Sequence, residues 1–161
     1  MASTYEVIGT NTFTSASAGI TFSSIPQTYS DLRLVFRGKS NGYAAIRFNA
    51  NSSGYCHVGI YNDNGDNGVS QSYAYAGLTS FGLGTGQPVL ATFDIMGYTT
   101  SNYKVCLTKL SADFNYSQKM SFRGITAWRN TSAITSLVFS SGDGTSNLIS
   151  GTVSLYGIKA A

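Results

Sequence analysis

"IPQTYSDLRLVFRG", Ile25 to Gly38, holds the alternation on which the fold class rests. From Leu32 to Phe36 every second residue is apolar (Leu32, Leu34 and Phe36), and the positions alternating with them include Arg33 and Arg37. Successive side chains of a strand point to opposite faces, so this spacing predicts one row buried in a core and a second row carrying two guanidinium groups. In a chain with only ten basic residues, two on alternate positions of one strand require something opposite them: water, nucleic acid, sugar or another protein subunit. The same period returns around Ile46 and Phe48, which form an inward row with Arg47 facing out. In "VLATFDIM" the row Val89, Ala91, Phe93 and Ile95 opposes Leu90, Thr92, Asp94 and Met96. That second row is itself partly apolar, as in a strand covered on both sides. It predicts a domain lying against a neighbour.

Strand-like segments recur along the whole chain. They are expected near Tyr5 to Gly9, Gly19 to Phe22, Leu32 to Lys39, Ala44 to Asn49, Cys56 to Tyr61, Tyr73 to Leu78, Val89 to Met96, Tyr103 to Leu110, Met120 to Arg129, Ile134 to Ser140 and Gly151 to Lys159. Turn clusters separate them: "SNG" at Ser40, "NANSSG" at Asn49, "GTGQP" at Gly84 and "SSGDG" at Ser140. No segment holds a helical period over ten residues, and no linker, low-complexity run or repeat divides the chain. Many short strands with this patterning predict an all-β fold, a sandwich or barrel in a single domain spanning residues 1–161.

Composition agrees. Charged residues make up 11% of the 161, against roughly a quarter in an average soluble protein, while hydrophobic residues reach an ordinary 42%. Eighteen Gly and eleven Tyr beside one Trp suit tight turns and aromatic sheet faces better than helices. A surface so poor in charge repels other copies weakly, which favours protein–protein packing. The net charge of +3 is spread without a basic run or tail, so the sequence offers no feature that would concentrate cations on nucleic acid. No segment is apolar enough to span a membrane, and "MASTYEVIGTNTF" lacks a secretory pattern, so synthesis in a cytoplasm is expected.

Catalytic chemistry finds little support. His57 is the single histidine and sits in the strand-like "YCHVGIY", so Cys56 and His57 point to opposite faces and cannot act as nucleophile and base. His57 is expected to be structural or solvent-facing. The carboxylates Glu6, Asp31, Asp94 and Asp113 come from unconnected places and read as turn or strand-end residues. No nucleophile elbow, dinucleotide fingerprint, phosphate loop or zinc-protease motif occurs, so an enzyme is not expected and no cofactor is implied. Cys56 and Cys106 read as two buried thiols rather than a disulfide, and with one histidine they cannot complete a zinc site.

Two segments leave alternatives open. "YNDNGDNGVS", Tyr61 to Ser70, crowds oxygen-bearing side chains together, but an EF-hand register from Asp63 puts Gly65 third and Ala74 twelfth, so the pattern fails. An exposed turn accounts for the Asn-Gly pairs, with a weak calcium site as the alternative. "SYAYAG" places Tyr73 and Tyr75 on one face, for cross-strand packing or for stacking on a sugar or a partner.

Four segments together resemble a known group. "TYEVIGTNTFTSASAGITFSSIPQTYSDLRLVFRG", "IRFNANSSGYCHVGIY", "AWRNTSAITSLVF" and the terminal "GTVSLYGIK" are similar to small virion structural proteins of tailed bacteriophages, including phages of cyanobacteria. The likeness covers most of the chain and is weakest from Asn62 to Gly86. It implies a jelly-roll-like antiparallel β-sandwich that acts by binding. With no attachment or shaft segment in the sequence, the resemblance is taken to favour a decoration, or cement, protein on the capsid exterior, trimeric and bound to the major capsid protein. Under that implication Arg33, Arg37 and Arg47 face a capsid or subunit surface bearing carboxylates, the alternative being solvated sheet-face residues. A tail-fibre or receptor-binding tip holding bacterial glycan through Tyr73, Tyr75 and the Asn/Asp loop is the rival expectation.

Overall fold

The computed structural model describes residues 5–40, 44–63, 66–72, 87–115, 118–141 and 148–159, and among them there is no helix. The strands are β1 (Tyr5–Phe13), β2 (Gly19–Phe22), β3 (Asp31–Ser40), β4 (Ala44–Phe48), β5 (Tyr55–Asp63), β6 (Asp66–Ser72), β7 (Gln87–Met96), β8 (Lys104–Asn115), β9 (Gln118–Trp128), β10 (Leu137–Ser141) and β11 (Leu148–Ile158). Eight of them form one sheet in the order β1-β11-β3-β7-β8-β9-β5-β6, and three form a second in the order β2-β10-β4. Every pairing is antiparallel. The chain passes between the sheets at every step from β1 to β5, and again on entering and leaving β10. The product is an antiparallel β-sandwich, one of the two architectures that the strand pattern predicts and the jelly-roll-like one that the resemblance implies, with its strands divided unequally.

Most strands fall where the sequence places them, and the departures have physical reasons. The exposed turn expected over Tyr61 to Ser70 is instead the meeting of β5 and β6, with Asp63 opposite Asp66 and Ile60 opposite Val69. β6 lies at the sheet edge and pairs on one side only, where a polar sequence is tolerated. β10 begins at Leu137 rather than Ile134, because the chain before it serves other partners: Ile134 N–H donates to Tyr98 O at 2.9 Å, and Thr135 O accepts from Ile25 N–H at 3.0 Å. Asn49, at φ 50°, holds that approach to β10 with its side chain. Its Oδ1 accepts from the N–H groups of Thr135 and Ser136 at 2.9 and 3.1 Å, and its Nδ2 donates to Ala133 O at 2.8 Å. The strand expected at 73–78, and with it Tyr73 and Tyr75, lies outside the described residues.

The core fills the space between the sheets. Leu32, Leu34 and Phe36 of β3 and Val89, Ala91, Phe93 and Ile95 of β7 are the inward rows that alternation assigns, and all are buried. The smaller sheet contributes Ile20, Ile46, Phe48, Leu137 and Phe139. Phe139 of the central strand β10 packs on Phe36 at a ring separation of 4.9 Å and edge-on to Phe93 at 6.1 Å. Phe48 of β4 meets Trp128 at 5.5 Å and Tyr55 at 5.9 Å. Offset and edge-to-face pairs such as these add roughly 0.5–1.5 kcal/mol each beyond the area they bury.

Under β5, β8 and β9 the packing depends on missing side chains. Gly59 and Gly124 are directly opposite, and the Phe122 ring occupies the space that their Cβ atoms would take. His57 stacks on Phe122 at 5.3 Å and gives Nδ1 to a 2.8 Å hydrogen bond with Thr126 Oγ1, while its buried Nε2 has no partner among the described residues. A Cβ at Gly124 would stand 2.6 Å from His57 Cε1. Gly124→Ala is therefore expected to destabilise the fold by about 2 kcal/mol or more through overpacking. Denaturant melts check this, and an unchanged midpoint would contradict it.

Burial also pushes the His57 imidazole down from 6.5 to about 4. Between those values the unfolded chain binds a proton that the folded chain refuses, so stability is full above pH 6.5 and falls as the pH drops toward 4. At about 1.4 kcal/mol per unit the loss approaches 3 kcal/mol. Melts of the wild type and His57→Gln across this range should show a slope in the first that is largely missing from the second.

Candidate functional site

The smaller sheet covers one face of the eight-stranded sheet, and among the described residues nothing covers the second, so the register of the strands sets what that open face displays. One cross-strand row reads Arg33, Asp94, Leu107, Ile125 and Val58, from β3 to β5. A parallel row reads Val35, Thr92, Lys109, Arg123 and Ile60. Met96 and Val105 face each other in a third, and Arg37 and Leu90 in a fourth. Val58, Ile60, Leu90, Met96, Val105 and Ile125 are all exposed, Ile60 by 62% and Ile125 by 51%. Single exposed aliphatics are ordinary, but a contiguous group of them is a feature of interaction sites.

Two depressions mark this face. A trough of about 370 Å³ runs over β8, β9 and β5, walled by Val58, Ile60, Leu107 and Ile125 with Lys109 and Arg123 in its lining. A second, of about 350 Å³, lies over β3, β7 and β8 and is more polar, with Arg33, Thr92, Asp94 and Ser111 around it. Lys109 borders both.

Of the arginines singled out in the sequence, the structure brings two onto this face. Arg33 already has partners within the chain: Nε donates to Asp94 Oδ1, and Nη1 donates to Tyr5 Oη at 2.9 Å with the guanidinium 5.3 Å above the Tyr5 ring. The hydrogen bond to Asp94 raises the Arg33 pKa above its ordinary value. Arg37 is exposed and has no ion pair among the described residues. Arg47 belongs to β4 in the smaller sheet, half-buried beside Ser140, and so lies on the other side of the sandwich. The three cannot act as one patch.

Most of the remaining candidates are committed to structure, and the Asp113 side chain lies outside the described residues. Glu6 accepts from Lys159 Nζ at 2.6 Å and from Tyr29 Oη at 3.0 Å, and these bonds hold its carboxyl below the usual range. Asp31 Oδ1 caps the Gly97 N–H at 2.8 Å. Of the two thiols expected to be buried only Cys106 is, since Cys56 is partly exposed on the outward row of β5; both are free and on opposite faces of the sheet, with β9 between their strands, so no bridge can join them. Cys106 is buried and its thiol is pushed up to about 12 by desolvation. Lys104, which the sequence shows only as one scattered cation, is buried with Nζ donating to the carbonyls of Thr100 and Asn102 at 2.7 and 2.6 Å. Among the described residues no group of three or more His, Cys, Asp or Glu could hold a metal ion.

Reading both rows of "CHVGIY", "CLTKLS" and "FRGIT", and not only of "VLATFDIM", would have exposed the apolar side of this face: Val58 and Ile60, Leu107, and Ile125 each occupy the outward alternate positions. The chain matches no protein-family model, no curated protein and no solved structure.

Because Arg33 and Asp94 are both partly exposed, their bridge counts as a surface pair. A double-mutant cycle with Arg33→Ala and Asp94→Ala should give a coupling of about 0.5–1 kcal/mol, reduced in 1 M salt. A coupling near zero at low salt would show that the bridge adds no net stability.

Proposed function

We propose that the protein is a virion structural protein of a tailed bacteriophage, a capsid decoration protein that binds the outer shell and stabilises it by bridging copies of the major capsid protein. The observation that carries this reading is the open apolar face of the eight-stranded sheet, a surface with the make-up of a binding site on a chain poor in charge. The likeness of the four sequence segments to phage virion proteins supplies the assembly. A homotrimer fits it, since three equal contacts suit a threefold or quasi-threefold position on a shell.

Its action would be mass action. A protein that binds the assembled shell and not the separate subunits stabilises it by RT ln(1 + [L]/Kd) per site, about 2.7 kcal/mol at 100 times Kd. Repetition over many sites multiplies the effect without any chemistry.

Copy number tests the reading. In purified particles containing this protein, quantitative mass spectrometry against the major capsid protein should find roughly one copy for every one to three capsid subunits, as expected of occupied symmetry positions. A handful of copies per particle would move the protein to the tail and to glycan binding. Absence from particles would end the virion reading.

A further inference from the structure

The charge pattern of the open face narrows what it binds. Lys109 of β8 and Arg123 of β9 are direct cross-strand partners, both exposed, and neither has an ion pair among the described residues. Side chains so placed have Cβ atoms about 5 Å apart, and like charges there destabilise the sheet. Arg37 and Lys39 add two further exposed cations on the same face without a carboxylate partner. The two acids described on this face are occupied, Asp94 by Arg33 and Asp31 by the Gly97 N–H. The Lys109–Arg123 pair stands in the lining of the apolar trough, beside Ile60 and Leu107.

We infer that this face receives an acidic, aliphatic-bearing segment of a partner protein: apolar side chains seat in the trough between Val58, Ile60, Leu107 and Ile125, and a carboxylate of the same segment bridges Lys109 and Arg123. The identity of that partner as the capsid protein rests on the proposed function, whereas the chemistry of the segment does not. Complementary charge is what selects the occupant. A second copy packed face to face would bring the same surplus of cations against itself. A nucleic acid would satisfy the cations, but the trough is aliphatic and has no aromatic ring for a base to stack on. A glycan would find few hydrogen-bonding groups on its walls. Closing the apolar trough over the carboxylate lowers the local dielectric and strengthens the charge-assisted hydrogen bonds.

The test has two independent arms. In the first, the ¹⁵N-labelled full chain is titrated with two decapeptides, alternating Leu–Glu and alternating Leu–Lys, and with a single-stranded oligonucleotide. The Leu–Glu peptide should shift the amides of Ile60, Leu107, Lys109, Arg123 and Ile125, and K109E/R123E should weaken it at least ten-fold while melting like the wild type. Equal shifts with Leu–Lys, no shifts on these strands, or preference for the oligonucleotide would overturn the inference. In the second arm the chain is co-sedimented with purified capsid shells lacking it. Loss of binding in K109E/R123E and in Ile125→Asp, with binding kept in Thr21→Glu at an exposed position of the smaller sheet, supports the assigned face. Loss confined to Thr21→Glu overturns it. Failure of the wild type to bind shells, with the peptide arm positive, would remove the capsid as partner and leave the acidic-segment site standing.

Discussion

The contact of Phe139 with Phe36 and Phe93 is what makes two sheets into one molecule. Phe139 lies at the middle of the three-stranded sheet, and its two ring partners come from β3 and β7, adjacent strands near the middle of the larger one. Leu34 and Leu155 pack alongside, fully buried. A two-layer sandwich packs each sheet on one side only, so the packing that closes one face of the large sheet leaves its opposite face uncovered among the described residues. The exposed row of Val58, Ile60 and Ile125 lies on that outer face.

The two sides of the large sheet are governed by different physics. On the inner side space is scarce: Gly59 and Gly124 leave room for Phe122 and His57 to lie flat, and burial pushes the His57 imidazole toward its neutral form. On the outer side charge decides. Arg33 is spent on Asp94 and Tyr5, an internal cross-strand tie. Lys109 and Arg123 face each other without such a tie, and the sheet carries that repulsion unless a partner relieves it.

The edges are secured by local means. Glu6, Lys159 and Tyr29 form a small network where β1 meets the end of β11, and the bulge between Val7 and Gly9 breaks the flatness of the edge strand β1. Bulges and charges at an edge discourage pairing with stray strands. At another end Lys104 fixes the loop after β7 by giving its ammonium to backbone carbonyls.

Much of the fold was legible in the sequence because strand alternation is local: Leu32, Leu34 and Phe36 declare their side, as do Val89, Ala91, Phe93 and Ile95, and Cys56 and His57 are separated by the same rule. Alternation also showed that β7 is apolar on both sides, and the outward positions of β5, β8 and β9 carry the same sign. What it could not show is which strands become neighbours. That is settled by long-range pairing and by how many strands join each sheet, and it placed Arg33 beside Asp94, sent Arg47 to the far side of the sandwich, and set Lys109 against Arg123 at the head of an apolar trough. The sequence by itself determined the period and the inward rows, since these follow from backbone geometry one residue at a time. Only the tertiary structure decided the partners of the outward rows, because a charge is defined by what lies opposite it, and what lies opposite comes from a strand many residues away.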